Sequence, residues 1–261
     1  MSLRPGLACT MLAALTLHLS AAARADDASA PPAAQSASNN GAEGSTWLHR
    51  IDTAARVSDA HLVLDVKVTD AKGREGERTI EVWQKGDEHR LVRMVAPARL
   101  RGVGLLAGPD HSLHLFLPQY PPARRVVGNK RADAFMGTDF AVEDLSRMTY
   151  SADYSASVVG VEDGLTHLQL TPYATTGEQT VELWVGDDAV VRRIRHTDAR
   201  GRASRQLDLS DVRPEGDVLL AHKMVVVDLL RDRRTEATVR EVTLDQALSD
   251  ELFTVTNLER P

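Results

Sequence analysis

From His61 onward, apolar and polar residues alternate with a period of two. Leu62, Leu64, Val66 and Val68 fall on one side, and Val63, Asp65, Lys67 and Thr69 on the other, the pattern of a strand with one buried face. The alternation returns near residues 78–85, 88–95, 111–117, 150–159, 165–171, 179–185, 189–196, 203–210, 218–229 and 234–244. Turn-forming residues punctuate it at Lys72-Gly73, Gly86-Asp87, Gly128-Asn129, Asp163-Gly164, Gly186-Asp187, Gly201 and Glu215-Gly216-Asp217. Roughly eleven strands joined by short turns predict an antiparallel meander, because parallel neighbours would need crossover helices between them. Glu81-Val82-Trp83 before Gly86-Asp87 echoes Glu182-Leu183-Trp184 before Gly186-Asp187. The spacing differs by one, and the two read as similar hairpins rather than as a duplication.

Three stretches depart from period two. Trp47, Leu48, Ile51 and Ala55 recur at helical spacing behind Ser45, a residue type that caps helices, and predict an amphipathic helix over about 46–56. Between Phe140 and Met148, the residues Val142, Leu145 and Met148 share a helical face, with Asp139, Glu143 and Asp144 near its start, where acids complement the helix dipole. Ser249 to Phe253 predicts one further helical turn. The expected fold class is therefore mainly β (α+β): a curved antiparallel sheet with short helices covering its apolar face.

The N-terminus reads as an address. Arg4, the apolar stretch from Leu7 to Leu19 and the small residues of Ala23-Arg24-Ala25 form a cleavable export signal over residues 1–25, with cleavage after Ala25. Cys9, the only cysteine, stands at the start of that apolar stretch, where a lipid-acceptor cysteine would stand at its end. Residues 26–45, with Pro31-Pro32, Asn39-Asn40-Gly41 and many Ala and Ser, are expected to be a flexible tether. Residues 46–261 are then expected to form a single exported domain.

Composition narrows the function. The 31 Lys+Arg against 37 Asp+Glu give a net charge of -6, which offers no basic field for a nucleic acid. Aromatic residues make up only 4% of the chain, so the interior must be built from Val, Leu, Ile and Ala. There is no nucleophile elbow, phosphate-cradling glycine loop or paired-histidine zinc motif. His111 and His114 lie three apart in an expected strand and point to opposite faces, so they do not form a metal pair. Glu143 and Asp144, at a helix start, read as capping residues rather than as a general acid and base. The arginine clusters at 124–125, 192–195 and 231–234 read as solvated strand residues and edge protection, with one member free to meet a lipid head group. The expectation is a non-enzyme without cofactor or metal.

The order of motifs carries a resemblance. Met94-Val95-Ala96-Pro97, Arg101-Gly102-Val103-Gly104-Leu105-Leu106, Leu115-Phe116-Leu117-Pro118, Arg124-Arg125-Val126 and Phe135-Met136-Gly137-Thr138-Asp139-Phe140 with Glu143-Asp144-Leu145 occur in sequence. With Asp198-Ala199-Arg200-Gly201 and the closing Leu252-Phe253-Thr254, the chain after the tether resembles the exported LolA-like family of outer-membrane lipoprotein-sorting proteins. Val103 departs from the family's usual Lys-Gly-Thr-like step. The resemblance implies a LolA/LolB-like half-barrel lidded by helices, whose apolar concavity takes up acyl chains of lipids or lipoproteins. It implies a periplasmic carrier, monomeric, serving an inner-membrane export transporter. The alternative is a lipid-responsive sensor or accessory subunit that docks a membrane protein. The residues expected to bind lipid or line the cavity rim are Phe135, Met136, Gly137, Phe140 and Leu145. A filled sheet-and-helix core would give the same alternation as a hollow one.

Overall fold

The strands form a single antiparallel sheet whose main apolar set falls on one side. The computed structural model describes residues 32–173 and 180–260, so the expected export signal and the start of the tether lie outside the described residues. Helix α1 (Pro32–Ala54) leads into β1 (Asp59–Thr69), β2 (Glu75–Lys85), β3 (His89–Ala96), β4 (Gly104–Ala107), β5 (Leu113–Phe116) and β6 (Arg124–Arg125). A 3-10 turn (Gly128–Ala132) and helix α2 (Val142–Ser146) follow. The chain continues through β7 (Tyr154–Glu162), β8 (Leu165–Pro172), β9 (Thr180–Val185), β10 (Val191–Thr197), β11 (Ala203–Glu215), β12 (Val218–Asp228) and β13 (Arg233–Leu244). A second 3-10 turn (Asp250–Phe253) and helix α3 (Val255–Leu258) close it.

Among the described residues the sheet has thirteen strands, in the order β6-β5-β4-β3-β2-β1-β13-β12-β11-β10-β9-β8-β7. The two additions to the expected eleven are β4, whose four residues are all buried and show no alternation, and β6, only two residues long. Neither length nor periodicity marks such segments as strands. The order is a meander except at one place: β1 pairs with β13 in the middle of the sheet, so the chain between β6 and β7 must pass from one sheet edge to the other.

The expected tether is also corrected, since α1 already begins at Pro32 and residues 32–45 belong to it. Proline suits a first helical position, where its missing N–H costs nothing. Ser45, expected as the cap, lies inside the helix, with its hydroxyl donating back to the Gly41 carbonyl at 3.0 Å. At Gly44 the helix approaches the sheet closely. A Cβ there would stand 2.2 Å from the Ala156 carbonyl oxygen of β7, so only glycine lets α1 lie this close.

The core sits on one face of the sheet. Leu64, Val66, Ile80, Val92, Met94, Leu168, Leu170, Val181, Leu183 and Val226 form one buried cluster, joined by Leu48 and Ile51 of α1 and by Phe135, Phe140 and Val142 of the crossing segment. A smaller cluster lies elsewhere, where Phe253 and Leu258 of the C-terminal segment pack on Leu91, Leu106 and Phe116.

Candidate functional site

The candidate site is the crossing segment, residues 126–153, together with the sheet residues that hold it. Its backbone folds mainly on itself. Phe135 N–H donates to the Phe140 carbonyl at 2.8 Å and Thr138 N–H to the Phe135 carbonyl at 2.9 Å. Met136 (φ 48°) and Gly137 (φ 76°) occupy the left-handed region between them, as a tight turn with two positive φ angles requires. This turn projects Phe135 and Phe140 into the core at 0% and 3% exposure. Gly137 is exposed, and Met136 and Leu145 are partly buried against the main cluster. The structure thus brings four of the five expected lipid-contacting residues, Phe135, Met136, Phe140 and Leu145, onto the apolar face, with Gly137 as the turn that aims them.

Attachment of the segment to its surroundings runs largely through side chains. Asp139, buried, pairs with the Arg233 guanidinium, 3.0 Å from its Nε, and accepts from the Thr235 hydroxyl at 2.7 Å, while its own N–H donates to Thr235 Oγ1 at 2.9 Å. Arg233 also donates to the Gly137 carbonyl at 2.7 Å. Asp144 accepts the Ala141 N–H at 3.1 Å, the expected cap, and in addition lies 2.9 Å from an Arg205 guanidinium nitrogen and 3.6 Å from His196 Nε2. Glu143 pairs with Arg147 at 2.7 Å, and Arg147 donates to the Tyr154 hydroxyl at 2.7 Å with the Tyr150 and Tyr154 rings against its guanidinium. Arg90 of β3 donates to the Arg147 carbonyl at 2.6 Å at the end of α2. Asp52 of α1 accepts the N–H groups of Tyr150 at 2.7 Å and Ser151 at 3.0 Å.

Burial by itself would push the Asp144 carboxyl up. The charges of Arg205, His196 and Arg147 and the Ala141 N–H outweigh it and hold Asp144 below the ordinary carboxylate range. Arg147 is likewise desolvated, yet Tyr154, Tyr150, Glu143 and Asp144 hold its guanidinium above the ordinary value. Desolvation pushes Arg90 down to about 10, because its neighbours are carbonyls rather than carboxylates. Each of these carboxylates is matched to a cation or to N–H donors, and each ties the segment to its surroundings or to itself.

The apolar face beneath the segment is filled among the described residues, with Met94, Phe135, Leu168, Leu170, Val181 and Leu183 all at 0% exposure. A cleft of about 480 Å³ opens at the segment's border, between Ala132, Ala134 and Asp139 on one side and Ser204, Arg205 and Leu230 on the other. Among the described residues no three His, Cys, Asp or Glu side chains gather as metal ligands. His111, expected within a strand, lies before β5 with φ 55° and its Nδ1 3.7 Å from Asp153.

Sequence reasoning missed Asp52, Arg90, His196, Arg205, Arg233 and Thr235. A signal existed for their presence but not for their identity. Asp139 stands between Thr138 and Phe140 in an apolar block, and a carboxylate carried into a core needs a buried partner. That partner lies 96 residues away. Arg233 corrects the reading of the 231–234 cluster as solvated strand residues, since it closes on Asp139, whose side chain is only 3% exposed.

Comparison with known proteins gives the lineage. A family model described as "-like: Uncharacterized protein" matches residues 86–260, and no curated protein matches the sequence. Among solved structures, a DUF1329 family protein from Desulfovibrio piger superposes with a TM-score of 0.78 at 21% identity, covering 84% of this chain and 99% of its own. A domain named for outer membrane lipoprotein sorting, from Vibrio parahaemolyticus, gives 0.75 at 18% identity over 85% and 100%. The LolA superfamily protein NE2245 from Nitrosomonas europaea gives 0.69 at 19% identity over 81% and 97%. At these identities the likeness is one of fold. By the family match the chain belongs to the family that this model describes, and its fold is the one seen in these lipoprotein-sorting and LolA superfamily structures.

Proposed function

We propose that the protein is a periplasmic carrier that takes lipid or lipoprotein acyl chains onto the inner face of its sheet and moves them through the cell envelope. The export signal read over residues 1–25 supports the location, and an inner-membrane export transporter is the partner proposed for loading or unloading. The observation that carries the reading is the crossing segment: an aliphatic face is closed by a short stretch whose Phe135, Phe140 and Val142 share its cluster and whose attachments include ion pairs of Asp139 and Asp144. In the loaded state acyl methylenes replace those side chains, and Met136 and Leu145 repack at the rim.

Burial of about 15 methylenes at roughly 0.8 kcal/mol each is worth about 12 kcal/mol gross, from which association, ordering and displacement of the segment subtract. A moderate net affinity serves a carrier that must also release its load, and no catalytic group is required. Native mass spectrometry of the exported chain, purified gently from its own compartment, tests this. A discrete added mass that extracts as a lipid or an acylated peptide is expected. A protein that stays empty after incubation with vesicles and lipoproteins overturns the reading.

A second reading, a lipid-responsive accessory subunit docked to a membrane protein, is favoured by edge strand β7. Val159 and Val161 there are 56% and 75% exposed, and an apolar edge strand is a template for a partner's strand. Partner binding that changes with lipid, without lipid transfer to vesicles, distinguishes it.

A further inference from the structure

The echo between Glu81-Val82-Trp83 and Glu182-Leu183-Trp184 extends much further than two similar hairpins. His61-Leu62-Val63-Leu64 in β1 corresponds to His167-Leu168-Gln169-Leu170 in β8. Thr79-Ile80-Glu81-Val82-Trp83 in β2 corresponds to Thr180-Val181-Glu182-Leu183-Trp184 in β9, and Val92-Arg93 in β3 to Ile194-Arg195 in β10. Pairing registers agree through the centre of both hairpins and diverge only at their ends, where each carries its own bulge. His61 lies opposite Trp83 and His167 opposite Trp184. Glu81 lies opposite Arg93 and Glu182 opposite Arg195. On the other face, Leu64 meets Ile80 and Leu170 meets Val181, while Val82 meets Val92 and Leu183 meets Ile194.

The side chains repeat as well. His61 stacks on Trp83 at 4.8 Å and 3°, with Nε2 3.4 Å from Glu81. His167 stacks on Trp184 at 4.4 Å and 9°, with Nε2 3.1 Å from Glu182. The following turn matches too: Arg101-Gly102 (φ 82°) and Arg200-Gly201 (φ 73°). In the sheet order β1, β2 and β3 each lie six places from β8, β9 and β10, so β1–β6 and β8–β13 are tandem six-stranded meanders and β7 is an added edge strand. The crossing segment falls between the two.

We infer that the sheet is an internal duplication and that each copy supplies one acyl-chain track, so that the carrier's cargo is a two-chain lipid or diacyl anchor with one chain per copy. This rests on the carrier reading and specifies its substrate class. Leu62, Leu64, Ile80, Val82 and Val92 line the first track, and Leu168, Leu170, Val181, Leu183 and Ile194 the second. In β1 the apolar stripe continues through Val66 and Val68. At about 3.4 Å per residue and about 4.8 Å between strands, such a stripe runs roughly 20 Å by 10 Å, the scale of one extended chain. Both tracks belong to one buried cluster, with Phe135 and Phe140 in it. Displacement of the segment would therefore open both tracks to the chains of one molecule.

The test is a native mass-spectrometric titration of the full mature chain with a one-chain probe, lysophosphatidylglycerol, and a two-chain probe, dioleoyl phosphatidylglycerol. Wild type should saturate at two of the first or one of the second. Leu62→Trp and Leu168→Trp, each filling one track, should each bind a single one-chain probe and hold the two-chain probe at least tenfold more weakly. The milder pair Val82→Phe and Leu183→Phe replaces them if either fails to fold. Saturation of wild type at one single-chain probe, or loss of both chains from one filled track, overturns the two-track inference and leaves the carrier reading standing. No binding of either probe by folded wild type overturns the carrier reading itself.

Discussion

The inner face of this protein is covered in two different ways. Along β8 and β9, Leu168, Leu170, Val181 and Leu183 are fixed by antiparallel ladders on both sides, so each apolar contact is backed by backbone hydrogen bonds. Along residues 133–148, equally buried Phe135 and Phe140 sit on a backbone bonded mainly to itself and tied to the sheet by Asp139, Asp144, Arg90 and Arg147. Removing a strand means unfolding. Lifting the crossing segment means exchanging ion pairs and carbonyl contacts for water, and apolar contacts for another apolar surface. A carrier needs one region of each kind.

The comparison can be broken from either side. Leu183→Ala should lower global stability by about 2–5 kcal/mol, as large-to-small changes in a packed core do, seen as a fall in the urea midpoint at unchanged m-value. Arg205→Met should cost up to about 3–5 kcal/mol, because it leaves the desolvated Asp144 without its principal charge partner. The loss should be local: hydrogen exchange of amides 133–148 accelerates while β8 and β9 stay protected. Gly44→Ala should fall below these. It sets a methyl group against the Ala156 carbonyl and displaces α1 from β7, so amide protection drops in α1 and the melting temperature falls with it.

Acid sharpens the contrast. The folded Asp144 carboxyl titrates below its unfolded value, so its stabilisation is fully present above the ordinary carboxylate range near pH 4 and is lost as pH falls through the depressed value. Exchange in 133–148 should therefore rise in acid before the strands open, and Asp144→Asn should flatten that dependence. The smallest effect is expected at Arg74→Ala, which removes an exposed pair with Asp70 and should leave the melting temperature unchanged within error.

The sheet was legible because its chemistry is local. Period two in Leu62, Leu64, Val66 and Val68 states which face is buried, and turn residues mark where each strand ends. Strands too short to show a period, β4 and β6, were not legible, and neither was an α1 whose first turns are rich in Ala and Ser and carry no apolar stripe. The crossing segment was visible as a motif with its apolar anchors, but its attachments were not. The residues that latch it are ordinary arginines on distant strands, and only the register that brings Arg233 and Thr235 under Asp139 distinguishes them from solvated ones. The inferred duplication was hidden for a related reason: unequal turns shift the sequence spacing, while the cross-strand register keeps the central pairs in place.

Hydrogen-exchange mass spectrometry of the protein with and without a bound acyl lipid tests the central claim most directly. The account predicts that loading deprotects amides 133–148 while amides of β8, β9 and β13 stay protected. Lipid bound with amides 133–148 unchanged or better protected would contradict it.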